Sequence, residues 1–141
     1  MNKQLRMQCN EFYNYININP KGKYGGDCVV RAIALATGQS WEETVRDMTE
    51  FGIKKGLVLN DKKLYPLYLE YKGFAKMSEP RYVDNTKMSV REWIRHRGIV
   101  WIKKKIIVNV GSHHLSAIID GKINDTWDCS DNTMHQWWIK L

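Results

Sequence analysis

The chain has 141 residues, 43% of them hydrophobic and 26% charged, which fits one globular domain and excludes a disordered polymer. A chain near this length buries roughly 68–70% of its unfolded surface, so a core can form without a metal or disulfide staple. Lys and Arg (22) outnumber Asp and Glu (15) for a net charge of +7, three cysteines exclude a disulfide scaffold, and no apolar run approaches membrane-spanning length.

The opening stretch, MNKQLRMQCNEFYNY, lacks the apolar core of a signal peptide, so a reducing cytoplasm with free thiols is the expected setting. Ile16–Gly26 reads as a loop from its Asn, Pro and Gly content. Asp27 then precedes a run of small and apolar residues, Cys28–Thr37, closed by Gly38. An N-cap Asp and a C-cap Gly predict a short buried helix beginning at Cys28. Ser40-Trp41-Glu42-Glu43 is a capping box opening a second helix to about Lys55. A third helix is expected between Asp61 and Lys72, closed by Gly73 and weakened in its first half by Pro66. Ser89-Val90-Arg91-Glu92 is a second capping box, and its helix ends at Gly98. After Gly98 the pattern changes to short β-branched runs: Ile99–Ile102, Ile106–Val110, Leu115–Ile119 and Lys122–Trp127. Asp120-Gly121 is the strongest hairpin signal in the chain. Helices first and an antiparallel sheet second is the α+β order, in a single domain spanning residues 1–141.

The chemistry concentrates at Cys28. A thiol opening a helix sits at the positive end of the helix dipole, which favours thiolate, and the preceding Gly25-Gly26 lets backbone N–H groups approach a ligand. A buried structural cysteine is the competing reading, and the histidines weigh against it. With a two-residue turn at Asp120-Gly121, Ile119 pairs with Lys122 and Ser116 falls opposite Asp125. Alternation then puts His114, Ser116, Ile118, Ile123, Asp125 and Trp127 on one face. Asp125 becomes a diagonal neighbour of His114. Nucleophile, base and orienting group would be Cys28, His114 and Asp125. A three-residue turn would exchange the faces and offer His113 with Asp128 as the alternative pair.

A Cys at the start of an early helix, a His at the head of a later strand and an Asp on the next strand resemble the papain-like cysteine peptidases. Asp125-Thr126-Trp127 is similar to the Asn-Ser-Trp motif of that superfamily, whose Trp covers the His–Asn pair. The resemblance covers Gly25–Thr37 and Ser112–Asp128. The same stretches also look like small phage and Gram-positive bacterial proteins with a Gly-Asp-Cys-Val-x-Arg-Ala start and a His-Leu-x-Ala-x-x-Asp-Gly hairpin. The resemblance implies a papain-like topology, with Trp127 shielding the His–Asp pair. It also exposes a departure. The oxyanion Gln often found six residues before the Cys is replaced by Gly22, and Asn19 or Asn17 would have to serve from the loop, beside the Cys28 N–H.

Other features carry plainer readings. Lys87, Arg91, Arg95, Arg97, Lys103, Lys104 and Lys105 form a basic stretch against Glu92 alone. No nucleic-acid motif accompanies it, so a solvated helix face and a lysine-rich turn are expected. Cys9, Cys28, Cys129, His113, His114 and His135 include no Cys-x-x-Cys or His-x₃-His spacing, so no metal is expected. Asp128–Asn132 reads as a turn. Ser116 reads as a cross-strand hydrogen-bond partner of Asp125, and Arg31 first as a salt bridge to Asp27 or Glu42, second as a support for a thiolate. The expected function is a thiol hydrolase acting on a peptide, isopeptide or amide bond, with a peptide or protein substrate, no cofactor and no membrane partner. The alternative is a non-catalytic factor on the same fold that binds a host protein, with nucleic-acid binding ranking third.

Overall fold

The computed structural model describes residues 3–101 and 103–140. Its elements are α1 (Lys3–Arg6), β1 (Tyr13–Tyr15), α2 (Cys28–Thr37), α3 (Trp41–Lys55), α4 (Leu64–Tyr71), β2 (Phe74–Met77), α5 (Val90–Arg97), β3 (Lys105–Val110), β4 (His114–Ile119), β5 (Lys122–Asp125) and β6 (Met134–Lys140). The fold is α+β. The strands form one six-stranded mixed sheet in the order β1-β5-β4-β3-β6-β2, with β1 parallel to β5 and every other pair antiparallel.

The helix signals act as their chemistry requires. α2 runs from Cys28 to Thr37 and stops at Gly38, whose φ of 76° is a left-handed cap. Ser40 Oγ accepts from the Glu43 N–H at 3.0 Å at the start of α3. The box at Ser89 is fully reciprocal: Ser89 Oγ accepts from the Glu92 N–H at 3.1 Å, and Glu92 Oε1 from the Ser89 N–H at 3.0 Å. α4 begins at Leu64 rather than Asp61, so Pro66 falls in the first turn, where a missing N–H leaves no helical bond unmade.

The sheet corrects three expectations. It is neither wholly C-terminal nor wholly antiparallel. β1 and β2 come from the part of the chain that precedes α5 and close its two edges, and β6 is a further strand. Gly98–Trp101 is a 3₁₀ turn, not the first part of a strand over Ile99–Ile102; residue 102 lies outside the described residues. Lys105 already lies opposite Ile119, the last residue of β4 before the turn, so the chain ahead of it has no β4 partner and instead extends α5 by one tight turn. Lys122–Trp127 pairs only as far as Asp125.

Each face of the sheet carries a core. On one, Val30, Ile33, Met48, Leu64 and Tyr68 from α2–α4 pack on Ile107, Leu115, Ala117 and Trp138. On the other, Val90 and Trp93 of α5 pack on Ile106, Val108, Ile118, Ile123, Trp137 and Ile139. α2 is buried nearly all round, and its alanines allow close approach to the sheet. No helix among the described residues is long and apolar enough to cross a membrane.

Candidate active site

The hairpin sets the geometry. Asp120 (φ 52°) and Gly121 (φ 74°) both adopt positive φ, as a tight type I′ turn requires. Ile119 then lies opposite Lys122, Ile118 opposite Ile123 and Ala117 opposite Asn124. This register brings His114, at the head of β4, to Asp125, at the end of β5. The His114 Nε2–H donates to Asp125 Oδ2 at 2.6 Å. The Ser116 hydroxyl donates to the same oxygen at 2.6 Å, and the Thr126 N–H donates to Oδ1 at 2.7 Å. Asp125 is 4% exposed, so these donors replace its water. The Trp127 ring lies against the imidazole with centroids 4.9 Å apart.

With Nε2 engaged, Nδ1 is left for Cys28, whose side chain is hydrogen bonded to His114. Burial pushes the Cys28 thiol up. The His114 hydrogen bond, the Leu115 backbone N–H and the charges of His114 and Arg31 outweigh that, and its pKa ends below the ordinary thiol value. Burial pulls His114 down, but its bonds to Asp125, Cys129 and Cys28 raise it to about 11. The thiol is thus shifted toward thiolate, its nucleophilic form, beside an imidazole that holds its proton.

The start of α2 is uncapped. Asp27 occupies the cap position, but its side chain bonds none of the backbone N–H groups that open the helix. Its carboxylate turns away, accepting from Asn19 Nδ2 and Trp41 Nε1, each at 2.9 Å, and pairing with Arg31. The first helical N–H groups, which have no intrahelical partner, are thus left beside the thiol. Asn19 Nδ2 donates to Asp27 and Asn17 Nδ2 to the Lys23 carbonyl, each with one of its two amide hydrogens, and neither residue is among those lining the cleft beside Cys28. Asn19 instead acts as a support.

His113 lines the same cleft as Cys28, but Asp128 points elsewhere, accepting from Asn10 Nδ2 at 2.9 Å and from the Ser130 N–H at 3.0 Å. Among the described residues no hydrogen bond or ion pair joins His113 to Asp128, and the alternative pair is not assembled. The cleft measures about 520 Å³ and runs from Cys28 and His114 between α2, α3 and the residues leading into α4. Val29, Val30, Trp41, Val45, Leu59 and Tyr65 give it an apolar wall.

Two neighbours of the site carry more than the sequence alone conveyed. Cys129, read there as part of a turn and set aside as a metal ligand, is fully buried and hydrogen bonded to His114. Its place two residues after Trp127 was the available signal. The donor atoms of His114, Asp125 and Cys129 lie within 4.8 Å of one another, a combination zinc accepts. In this structure Asp125 and Cys129 are both partners of the imidazole. Arg31, one turn after Cys28, reaches both Asp27 and Asp125. The basic stretch is largely tied down: Arg91 bonds Asp131 at 2.7 Å, Arg91 and Arg95 cover the Phe12 ring, and Arg97 donates to the Arg81 carbonyl. Compared with known proteins, the chain matches no family model, no curated protein and no solved structure.

Proposed function

We propose that this chain is a thiol hydrolase or acyl transferase of papain-like arrangement that acts on a peptide, isopeptide or amide bond. The observation that carries the reading is the thiol of Cys28 at an uncapped helix start, hydrogen bonded to an imidazole that Asp125 holds at 2.6 Å, on the wall of an open cleft. The thiolate attacks the carbonyl carbon. The oxygen takes the negative charge and faces the N–H groups that open α2. His114 gives its proton to the leaving amine, and a thioester remains on Cys28. Water, losing its proton to His114, then releases the acid and restores the thiol. The apolar wall suits an apolar side chain beside the scissile bond. A reducing compartment such as the cytoplasm fits three free cysteines.

Iodoacetamide labelling followed by peptide mapping tests the reading. Cys9 is the comparator, because it is exposed whereas Cys28 is half-buried, so access alone favours Cys9. The expected result is faster alkylation of Cys28 at neutral pH by tenfold or more. Equal rates, or a faster Cys9, would overturn it.

A further inference from the structure

We propose that Arg31 is a positioning residue of this site: its buried guanidinium bridges Asp27 and Asp125, and so fixes the thiol-bearing helix against the carboxylate that orients the imidazole. Arg31 is 4% exposed. Nη1 pairs with Asp27 Oδ1 at the cap of α2, and Nη2 lies 3.6 Å from Asp125 Oδ1 at the end of β5. Each carboxylate is locked from its other side, Asp27 by Asn19 and Trp41, and Asp125 by His114, Ser116 and the Thr126 N–H. The fork therefore joins two rigid groups, one at the root of the nucleophile and one behind the base.

Energetics argue against a purely structural tie. Arg31 Nε is buried without a hydrogen-bond partner, a cost that persists in the fold. Buried ion pairs seldom add net stability over well-packed apolar residues. A planar fork that spans two carboxylates at fixed geometry is what arginine offers and lysine does not. The charged and titratable groups around the thiol are Asp27 at the cap of α2, Arg31 within it, His114 from β4 with Asp125 behind it, Tyr65 from α4, and Asp61, Lys62 and His113 lining the cleft. Of these, Arg31 is the cation shared by the thiol and by the partner of its base.

The consequence for reactivity rests on the thiol-hydrolase reading; the positioning itself does not, and the test separates them. Two variants are compared with wild type: Arg31→Lys, and Arg31→Met combined with Asp27→Asn, which removes one charge of each sign. The readouts are the pH profile of iodoacetamide alkylation at Cys28 and the downfield proton signal of the His114–Asp125 hydrogen bond in NMR. Expected for the double variant are a folded protein, alkylation at least tenfold slower at pH 7, a midpoint moved upward, and loss of the downfield signal. Arg31→Lys should fall between the two, and it decides by the same readouts if the double variant does not fold. A folded variant with wild-type rate, midpoint and signal would overturn the proposal. A wild-type Cys28 no faster than Cys9 would defeat the hydrolase reading. In that case a downfield signal lost with Arg31 still supports positioning, and one that persists overturns it.

Discussion

Two thiols meet one imidazole in this molecule, and their surroundings drive them apart. Both Cys28 and Cys129 are hydrogen bonded to His114. Burial pushes both upward. At Cys28 the bond to His114, the Leu115 N–H and the positive charges of His114 and Arg31 reverse that effect. At Cys129 burial is nearly complete and the negative charge of Asp125 adds to it, so the thiol ends above its ordinary value despite the same histidine. Cys28 borders a cleft; Cys129 sits in the core that also holds Trp93 and Met134. Nearness to a histidine therefore does not make a nucleophile. The helix start, the donors around the sulfur and the opening to a substrate do.

The largest expected effect breaks the comparison at its active end. Cys28→Ser should abolish iodoacetamide labelling at this position and turnover of any amide substrate, while the melting temperature moves little, because a hydroxyl nearly keeps the shape of the half-buried thiol. Labelling kinetics beside thermal melting check this. A Cys28→Ser protein that keeps its full biological effect would show that the fold acts by binding.

Asp125→Asn comes next. An amide can orient an imidazole, and the residues resembling Asn-Ser-Trp suggest that the change would be mild. The hydrogen bonds argue otherwise. Oδ2 receives His114 and Ser116, while Oδ1 receives the Thr126 N–H and lies 3.6 Å from Arg31, so every partner can donate. An amide NH₂ would meet donors in either orientation. If it faces His114, it selects the tautomer that cannot hold the resting proton on Nε2. Loss of turnover should be on the order of 10³-fold, close to that of His114→Ala. Steady-state rates of the two variants decide between a site built for a carboxylate and one indifferent to it.

The pH dependence sharpens the same contrast. Alkylation of Cys28 should titrate below the unperturbed thiol value of about 8.5, whereas Cys129 should stay unreactive there. Turnover should hold through neutrality and fall as His114 loses its proton near pH 11. The stability signs are opposite. The lowered Cys28 stabilises the fold above its ordinary pKa, and that contribution is lost as pH falls through its folded value. The raised His114 contributes fully below its unperturbed value, about 6.5, and the contribution is lost as pH rises through about 11. Melting of wild type against His114→Ala across this range should show the gap closing at high pH.

The two ends of the chain's logic were unequally legible in the sequence. Cys28–Thr37 and the Asp120-Gly121 hairpin are local devices, a cap residue and a positive-φ turn, and local chemistry suffices to place His114 opposite Asp125. The strands that escaped reading depend on distant partners. β1 is three residues long and is held by its parallel register with β5. β6 is buried on both faces, Trp137 in one core and Trp138 in the other, so it shows no alternation to read. The Arg31–Asp27 pair was legible as an i, i+4 spacing, but the reach of Arg31 to Asp125 and the release of Asp27 from capping were not. A capping Asp is expected from sequence, but tertiary partners at Asn19, Trp41 and Arg31 take its carboxylate, and that leaves the helix start open.

Cys129→Ala is the smallest effect and the finest test of the contrast. The buried thiol stays protonated at neutral pH, since burial and Asp125 both oppose its ionisation. It brings no charge to the imidazole, and Asp125, Ser116 and Arg31 remain in place without it. Removing one sulfur from the core should cost about 1–2 kcal/mol through the small cavity it leaves. Cys28 alkylation should change by less than about threefold, a difference of under 1 kcal/mol in barrier. Thermal melting and labelling kinetics on the same sample separate the two quantities. A tenfold slower Cys28 in this variant would mean that both thiols and the imidazole act as one unit, and that the second sulfur tunes the first through the ring they share.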